Sequence, residues 1–325
     1  MRQLLALAAL ALLLPVAACG DDKPVPPKGD GGTSPPSAWR AAVGAGGTFA
    51  QTFDDVRWES RALGTATMLA VACVGNRDGW AVGEGGLALH TVDGGRTWSA
   101  QPSGTSVALR AVRFGDRDHG VIAGDAGFLA RTADGGAHWS RVESSTTDAL
   151  RGAAVAWGAA TWVVVGDRGL VLRSVDAGAS WSSSTLAGAG ALRGVAVDVG
   201  AHVVLAVDDA GAIWSSGDGA HAFRREADAG APLDAISIAD DGSAALAVGA
   251  RGIALARSAS GAWRATPTGT TADLHAALVT KDATGVGARF YAAGEGGSLV
   301  TRADGSPWST VPLPTSAALY GLEDL

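Results

Sequence analysis

A tryptophan recurs about every forty residues, and three times it closes the same eight-residue phrase. The phrases are Thr91-Val-Asp93-Gly-Gly95-Arg-Thr-Trp98, Thr132-Ala-Asp134-Gly-Gly136-Ala-His-Trp139 and Ser174-Val-Asp176-Ala-Gly178-Ala-Ser-Trp181. A fixed period of this size marks a stack of copies of one supersecondary unit, which constrains the architecture before any local propensity does. Weaker marks in the same register fall at Trp58, Phe223, Trp263 and Trp308. The successive gaps are 40, 41, 42, 42, 40 and 45 residues. Seven marks predict seven units.

Residues 109–139 display the unit best. Leu109-Arg-Ala-Val-Arg-Phe114 reads as an alternating, half-buried strand, and Gly120-Val-Ile-Ala-Gly124 as a short apolar one. A turn at 125–127 leads to a third strand at 128–132, a tight hairpin follows, and Trp139 opens a fourth. Four short antiparallel strands in about forty residues make a propeller blade. The expected fold is therefore all-β, a seven-bladed β-propeller. The hairpin phrase is the Asp-box of sialidase-type and related propellers. Its carboxylate folds back onto backbone N–H groups, its Gly supplies positive φ, and its Trp anchors the blade. The box residues Asp54, Asp93, Asp134, Asp176, Asp218 and Asp304, with Trp98, Trp139, Trp181, Trp263 and Trp308, are thus read as structural rather than catalytic. The box weakens along the chain: Phe223 replaces Trp, the phrase ending at Trp263 is two residues short, and Asp304 is shifted by one place.

The ends of the chain match parts of the repeat. Residues 43–52 align without a gap on 82–91, so the N-terminal part supplies the second, third and fourth strands of a blade, with a shortened box from Thr52 through Asp54 to Trp58. Residues 318–322 align on 108–112, a first strand. Head and tail are expected to complete one composite blade, leaving no open edge.

Residues 1–18 carry Arg2 and an apolar run from Leu4 to Leu14, the pattern of a secretory signal. It ends Val16-Ala17-Ala18-Cys19-Gly20, which resembles a bacterial lipobox, with Cys19 as the lipidation site. An ordinary signal peptide with a chance Cys is the alternative. Several acyl chains on one residue give stable attachment, where one alone is marginal. Gly20 after the Cys favours the outer over the inner membrane of the cell envelope. Residues 19–37, rich in Pro, Gly, Asp and Lys, read as a tether, and 38–325 as the propeller.

Removing residues 1–18 takes away one positive charge, leaving 24 basic and 32 acidic residues. Such a balance argues against general nucleic-acid binding. With Cys19 acylated, Cys73 is the sole thiol, in an apolar strand that favours an inert buried group over a nucleophile. The six histidines have no metal-site spacing and no calcium loop is present, so neither cofactor nor metal is expected. Catalysis is poorly supported. Tyr291 and Tyr320, the only tyrosines, sit in no sialidase constellation, and no carboxylate pair stands out.

Binding should lie where first strands begin and where second strands turn into third ones. The residue after the leading Leu of each first strand reads Ala70, Arg110, Arg151, Arg193, Asp234, His275 and Tyr320. Three arginines in successive blades form a cationic arc suited to carboxylates. Alternatively, they are remnants of a repeat consensus that pair with nearby acids. The second-to-third turns carry Glu84, Asp125, Asp167 with Arg168, Asp208 with Asp209, Arg251 and Glu295, a mostly acidic collar that could neutralise the arc.

The phrase from Gly79 to Trp98, with Leu109 to Phe114 after it, resembles the photosystem II stability/assembly factor family, over about residues 40–325. The resemblance implies a non-enzymatic seven-bladed propeller that binds membrane-protein assembly intermediates through an arginine-rich patch. Arg110, Arg151 and Arg193 are the positions that could play that part, with His275 and Tyr320 beside them. The combined reading is a monomeric, lipid-anchored scaffold for an envelope or membrane protein client. A carbohydrate-binding or glycosidase-like propeller is the alternative, for which exposed Trp157 and Trp162 would speak.

Overall fold

Each first strand opens on a large apolar residue that is wholly buried: Met68, Leu109, Leu150, Leu192, Leu233, Leu274 and Leu319 are each 0% exposed. These seven side chains wedge the inner strands of seven sheets together, and the sheets fan out from them. The computed structural model describes residues 39–75, 77–156, 161–258, 261–281 and 287–324. Within them lie seven four-stranded antiparallel sheets, each a meander. Blades one to six occupy residues 68–100, 109–141, 150–185, 192–228, 233–265 and 274–310. Trp157 lies outside the described residues, as do Cys19 and the rest of 1–38.

The seventh blade is composite. Its sheet takes its first strand, Leu319–Asp324, from the C-terminal end and the other three, Arg40–Gly44, Thr48–Thr52 and Glu59–Ala62, from the N-terminal part. Arg40 pairs with Asp324 and Ala42 with Leu322. Ring closure thus rests on backbone ladder bonds between the two ends, as the aligned phrases predict.

Neighbouring blades pack face to face. Ala72, Trp80 and Val82 of blade one meet Val112, Phe114 and Ile122 of blade two, and the Trp80 ring stacks on Phe114. Trp162 belongs to this interior. It starts the second strand of blade three at 3% exposure, so the expectation of an exposed Trp162 is corrected: the side chain alternates inward, into a cluster with Val121 and Leu172.

The Asp-boxes are internal hydrogen-bond devices. In blade one, Asp93 accepts from the Thr91 hydroxyl at 2.8 Å and from the Thr97 N–H at 2.9 Å, while Gly95 N–H donates to Thr91. Asp134 is held down to about 2 by the backbone N–H of His138, then its imidazole and the Thr132 hydroxyl. Asp176 is also held near 2, by the Ser180 hydroxyl and N–H and by Ser174. Asp54 and Asp218 make the same bonds to Thr52 and Ser216. Asp304, shifted by one place, accepts no such bond among the described residues. The tryptophans also divide. Trp181 donates to Gly178 of its own box at 3.0 Å, but Trp263 reaches Glu226 and Trp308 reaches Thr266, each on the preceding blade. Trp98 and Trp139 find no hydrogen-bond partner among the described residues. They make edge contacts to Phe49 and Phe114 instead.

The second-to-third turn sets a severe steric condition. Its last two residues are both left-handed, as at Gly85 and Gly86 with φ of 67° and 73°. A Cβ at Gly85 would meet nothing within 4 Å, whereas one at Gly86 would lie 2.0 Å from the Thr105 carbonyl oxygen. Blade two already places Ala126 where Gly85 stands, at φ 54°. Gly85→Ala should therefore cost about 1–2 kcal/mol, the strain of left-handed backbone alone, and Gly86→Ala about 3 kcal/mol or more, since the blade must also move off the next loop. Urea unfolding of the two variants checks this, and equal midpoints would refute it.

Candidate functional site

The first strands do not alternate as a simple strand would. In blade two Leu109 pairs with Gly124 and Ala111 with Ala123, which leaves Arg110 as an extra residue in a β-bulge. The same shift falls at Arg151, Arg193, Asp234 and His275. In the seventh blade it falls at Tyr320, between Leu319 and Gly321. A bulge bends the strand and re-aims a side chain without removing a residue from the ladder around it. Every blade uses it to turn one side chain onto the mouth of the central channel.

Blade one corrects the sequence register. Met68, not Leu69, pairs with Gly83, so the bulged residue is Leu69 and not Ala70. Met68 fills the wedge position because its unbranched side chain fits it as leucine does elsewhere. Read around the ring, the mouth carries Leu69, Arg110, Arg151, Arg193, Asp234, His275 and Tyr320. All seven line one cavity of about 380 Å³.

The arginines are brought together, and two of the three are already gripped by acids. Arg110 grips Asp125 with Nε and Nη2, at 2.5 and 3.0 Å. Arg151 grips Asp167 in the same way, at 2.5 and 3.2 Å. Each pair links the bulge to the second-to-third turn of its own blade. Both readings of the arginines are therefore present at once: they form an arc, and the collar neutralises it. A guanidinium has five N–H donors, however, and the Asp takes two. The grip fixes the fork and leaves the Nη1 donors over the channel.

Arg193 differs. Asp209 and Asp234 approach it only to 3.8 and 3.9 Å, and its Nε is buried with no partner. The cause lies in the blade-four turn. Asp208, wholly buried, accepts from the N–H groups of Ala210 and Ala212 and from the Trp214 indole, and Asp209 accepts from the Ala191 N–H. The carboxylate that would grip Arg193 is spent on backbone. Arg193 is the arginine least held at the mouth.

His275 stands between two acids, Nδ1 at 3.1 Å from Asp234 and Nε2 at 3.2 Å from Glu295. The bond to Asp234, then that to Glu295, outweighs partial burial and raises its pKa. Tyr320 lies against it with ring centroids 5.2 Å apart. Tyr291 is elsewhere, 2% exposed under the Arg40 guanidinium, and burial raises its pKa.

Deeper in the channel lies a pair that the sequence pattern does not announce. After the bulge, the fifth residue of each first strand faces inward again, and at two places it is charged. Arg113 of blade two donates to the Val71 carbonyl and pairs with Glu323 of the seventh blade at 3.3 Å. The pair spans blade one, which offers only Ala72 at this level. Burial, partly opposed by Arg113, pushes the Glu323 carboxyl up to about 7. Cys73 lines the same region, its thiol pushed well up by burial. The signal that could have found the pair is the spacing Arg110-x-x-Arg113, which puts both residues on one side only if a bulge lies between them.

This rim and ring can be compared with known proteins. The family model described as photosynthesis system II assembly factor YCF48 matches residues 101–325. No curated protein matches. Among solved structures, one described as YCF48 bound to D1 peptide is 20% identical, with a TM-score of 0.58 over 75% of this chain and 81% of that one. Another, YCF48 from Cyanidioschyzon merolae, is 19% identical, with a TM-score of 0.58 over 86% and 90%. At these identities the structures bear on the fold, while the family match covers more than half of the sequence. The chain belongs to the photosynthesis system II assembly factor YCF48 family.

Proposed function

We propose that this protein is a non-enzymatic, monomeric assembly factor that holds a segment of a membrane or envelope protein client at the channel mouth. The observation that carries the reading is the convergence of Arg110, Arg151 and Arg193 on one rim, each placed by a bulge and the first two held by acids. A related structure, described as bound to D1 peptide, supports a peptide as the class of ligand. A rigid rim loses little entropy on binding, and the Nη1 donors suit carboxylates and peptide carbonyls. His275 and Tyr320 complete the far side of the same mouth. Attachment through acylated Cys19 would keep the protein on the envelope membrane beside its clients.

In-cell cross-linking and affinity capture test the site. The native protein should capture one envelope protein that the Arg110→Glu, Arg151→Glu, Arg193→Glu variant loses by tenfold or more, with the fold checked by thermal melting. Capture that is identical in a folded variant would move the site off the rim. Because the arginines are pre-engaged, Asp125→Asn with Asp167→Asn should instead strengthen capture of an acidic segment several-fold, and do so more at low salt.

A further inference from the structure

One carboxylate at the channel mouth has two claimants. Asp234, the bulged residue of blade five, stands between Arg193 of blade four and His275 of blade six. Its Oδ2 lies 3.1 Å from His275 Nδ1, and its Oδ1 lies 3.9 Å from Arg193 Nη1. The first distance is a hydrogen bond and the second is not. Nothing else grips the arginine. Asp209, its own turn acid, is 3.8 Å away and accepts from the Ala191 N–H, and Arg193 Nε is buried without a partner. Asp234 is held by the histidine and withheld from the arginine.

The histidine can hold both of its acids only while charged. Glu295 Oε1 lies 3.2 Å from His275 Nε2, so each ring nitrogen faces a carboxylate oxygen. A neutral imidazole has one N–H, whereas the imidazolium has two and serves both acids. The geometry is that of protonated His275. Its other neighbours do not replace that charge. Tyr320 faces the ring from the seventh blade with a hydroxyl that burial keeps neutral, helped by Glu295 and by Glu84 of blade one. The blade-five turn, which packs on the His275 strand, carries Arg251, whose N–H donates to Asp273. Lys281, Arg289, Glu323 and Asp324 lie at the far end of the strands packed here. The bond to Asp234, then that to Glu295, raises the His275 pKa, so the charge is lost only above the ordinary imidazole value of 6.5.

We propose that Asp234 is a proton-controlled latch on Arg193. With His275 charged, Asp234 stays on the imidazolium, and Arg193 is open to a carboxylate of the client. When His275 loses its proton, its one remaining N–H serves Glu295, and Asp234 turns to the arginine. The move is small, about 1 Å, from 3.9 Å to the roughly 2.8 Å of a charge-assisted bond. Arg193 is then held by an acid as Arg110 and Arg151 are, and the rim withdraws the arginine it holds least. The grip on an acidic segment therefore weakens as pH rises through the His275 pKa. By reciprocity, an anion seated on Arg193 makes His275 keep its proton to higher pH. The latch adds control to the mouth and presupposes that the mouth is the client site.

The test uses the full chain labelled with nitrogen-15 in arginine and histidine, with an amidated tetraglutamate peptide as the probe of the mouth. In magnetic resonance spectra the Arg193 Nη signals, assigned by their loss in Arg193→Gln, should shift with the same pH midpoint as the His275 ring nitrogens. In Asp234→Asn, its fold checked by thermal melting, His275 should still titrate while the Arg193 shift falls at least threefold. Peptide affinity should drop about fivefold between pH 6 and pH 8.5 in the parent, the worth of one partly exposed ion pair, and under twofold in Asp234→Asn. Arg193 signals that stand still while His275 titrates overturn the latch. So does a drop in affinity as large in Asp234→Asn as in the parent, which would trace it to the charge of His275 alone. If the peptide binds no form at either pH, the mouth is not the client site, and the shared titration of Arg193 and His275 by itself decides the latch.

Discussion

Deleting residues 319–325 should unfold the ring rather than trim it. The lost strand carries Leu319 and Leu322, 0% and 5% exposed, and its ladder to Arg40–Gly44 is the only strand pairing between the two ends of the described chain. The bonds from Ala45 N–H to Ala318 and from the Ser60 hydroxyl to Pro314 are single contacts beside it. Burying two such leucines contributes about 3–6 kcal/mol. Deletion also strips a strand edge and uncovers the inner strands of blades one and six. A domain holds only about 5–15 kcal/mol in reserve. The truncated chain is expected to lose its cooperative melt and to elute as an expanded or aggregated species. A folded monomer melting within a few degrees of the parent would show that closure depends on something else.

The second large effect is a pH dependence built into the channel. Glu323 has a carboxyl raised to about 7 in the folded protein, against 4.5 for an ordinary one. A raised carboxyl binds its proton more tightly when folded, so stability is lost as pH rises from about 4.5 to about 7 and stays lost above that. At full burial a shift of this size is worth about 3 kcal/mol. The side chain is 25% exposed to the channel, so about 2 kcal/mol is expected after screening. Glu323→Gln, which mimics the protonated form, should raise stability by that amount at pH 8 and change little at pH 4. Melting curves at the two pH values decide it; an equal gain at both, or a loss at pH 8, would remove Glu323 as the cause.

Much of the fold was legible in the sequence because its period is carried by large residues. A tryptophan about every forty residues, three times closing an Asp-box phrase, leaves few architectures open, and the aligned phrases at residues 43–52 and 318–322 disclosed the composite blade. What escaped is the bulge. Hydrophobic patterning reports burial, and Leu-Arg-Ala-Val-Arg-Phe reads as alternation whether or not one residue is extruded. The one-place error in blade one has the same origin: Leu69 looks like the leading residue of its strand, but Met68 fills the wedge. The arginine–aspartate grips were half visible. Arg110 and Asp125, Arg151 and Asp167, and Arg193 and Asp209 stand 15 or 16 residues apart, a constant offset across the second-to-third turn. Only geometry tells that the third pair does not close, because the buried Asp208 reshapes its turn.

The seven extruded residues at the channel mouth are freed from the duties that bind the rest of the strand. Each sits between ladder pairs instead of within one, and the buried leucine or methionine beside it carries the packing. A change there rewrites what the mouth displays without touching what holds the ring shut. The chain thus separates its lettering from its frame: seven positions spell Leu, Arg, Arg, Arg, Asp, His, Tyr, and respelling one disturbs the ion pairs of the rim, such as those of Asp234 with Arg193 and His275, but not the ladder beneath it.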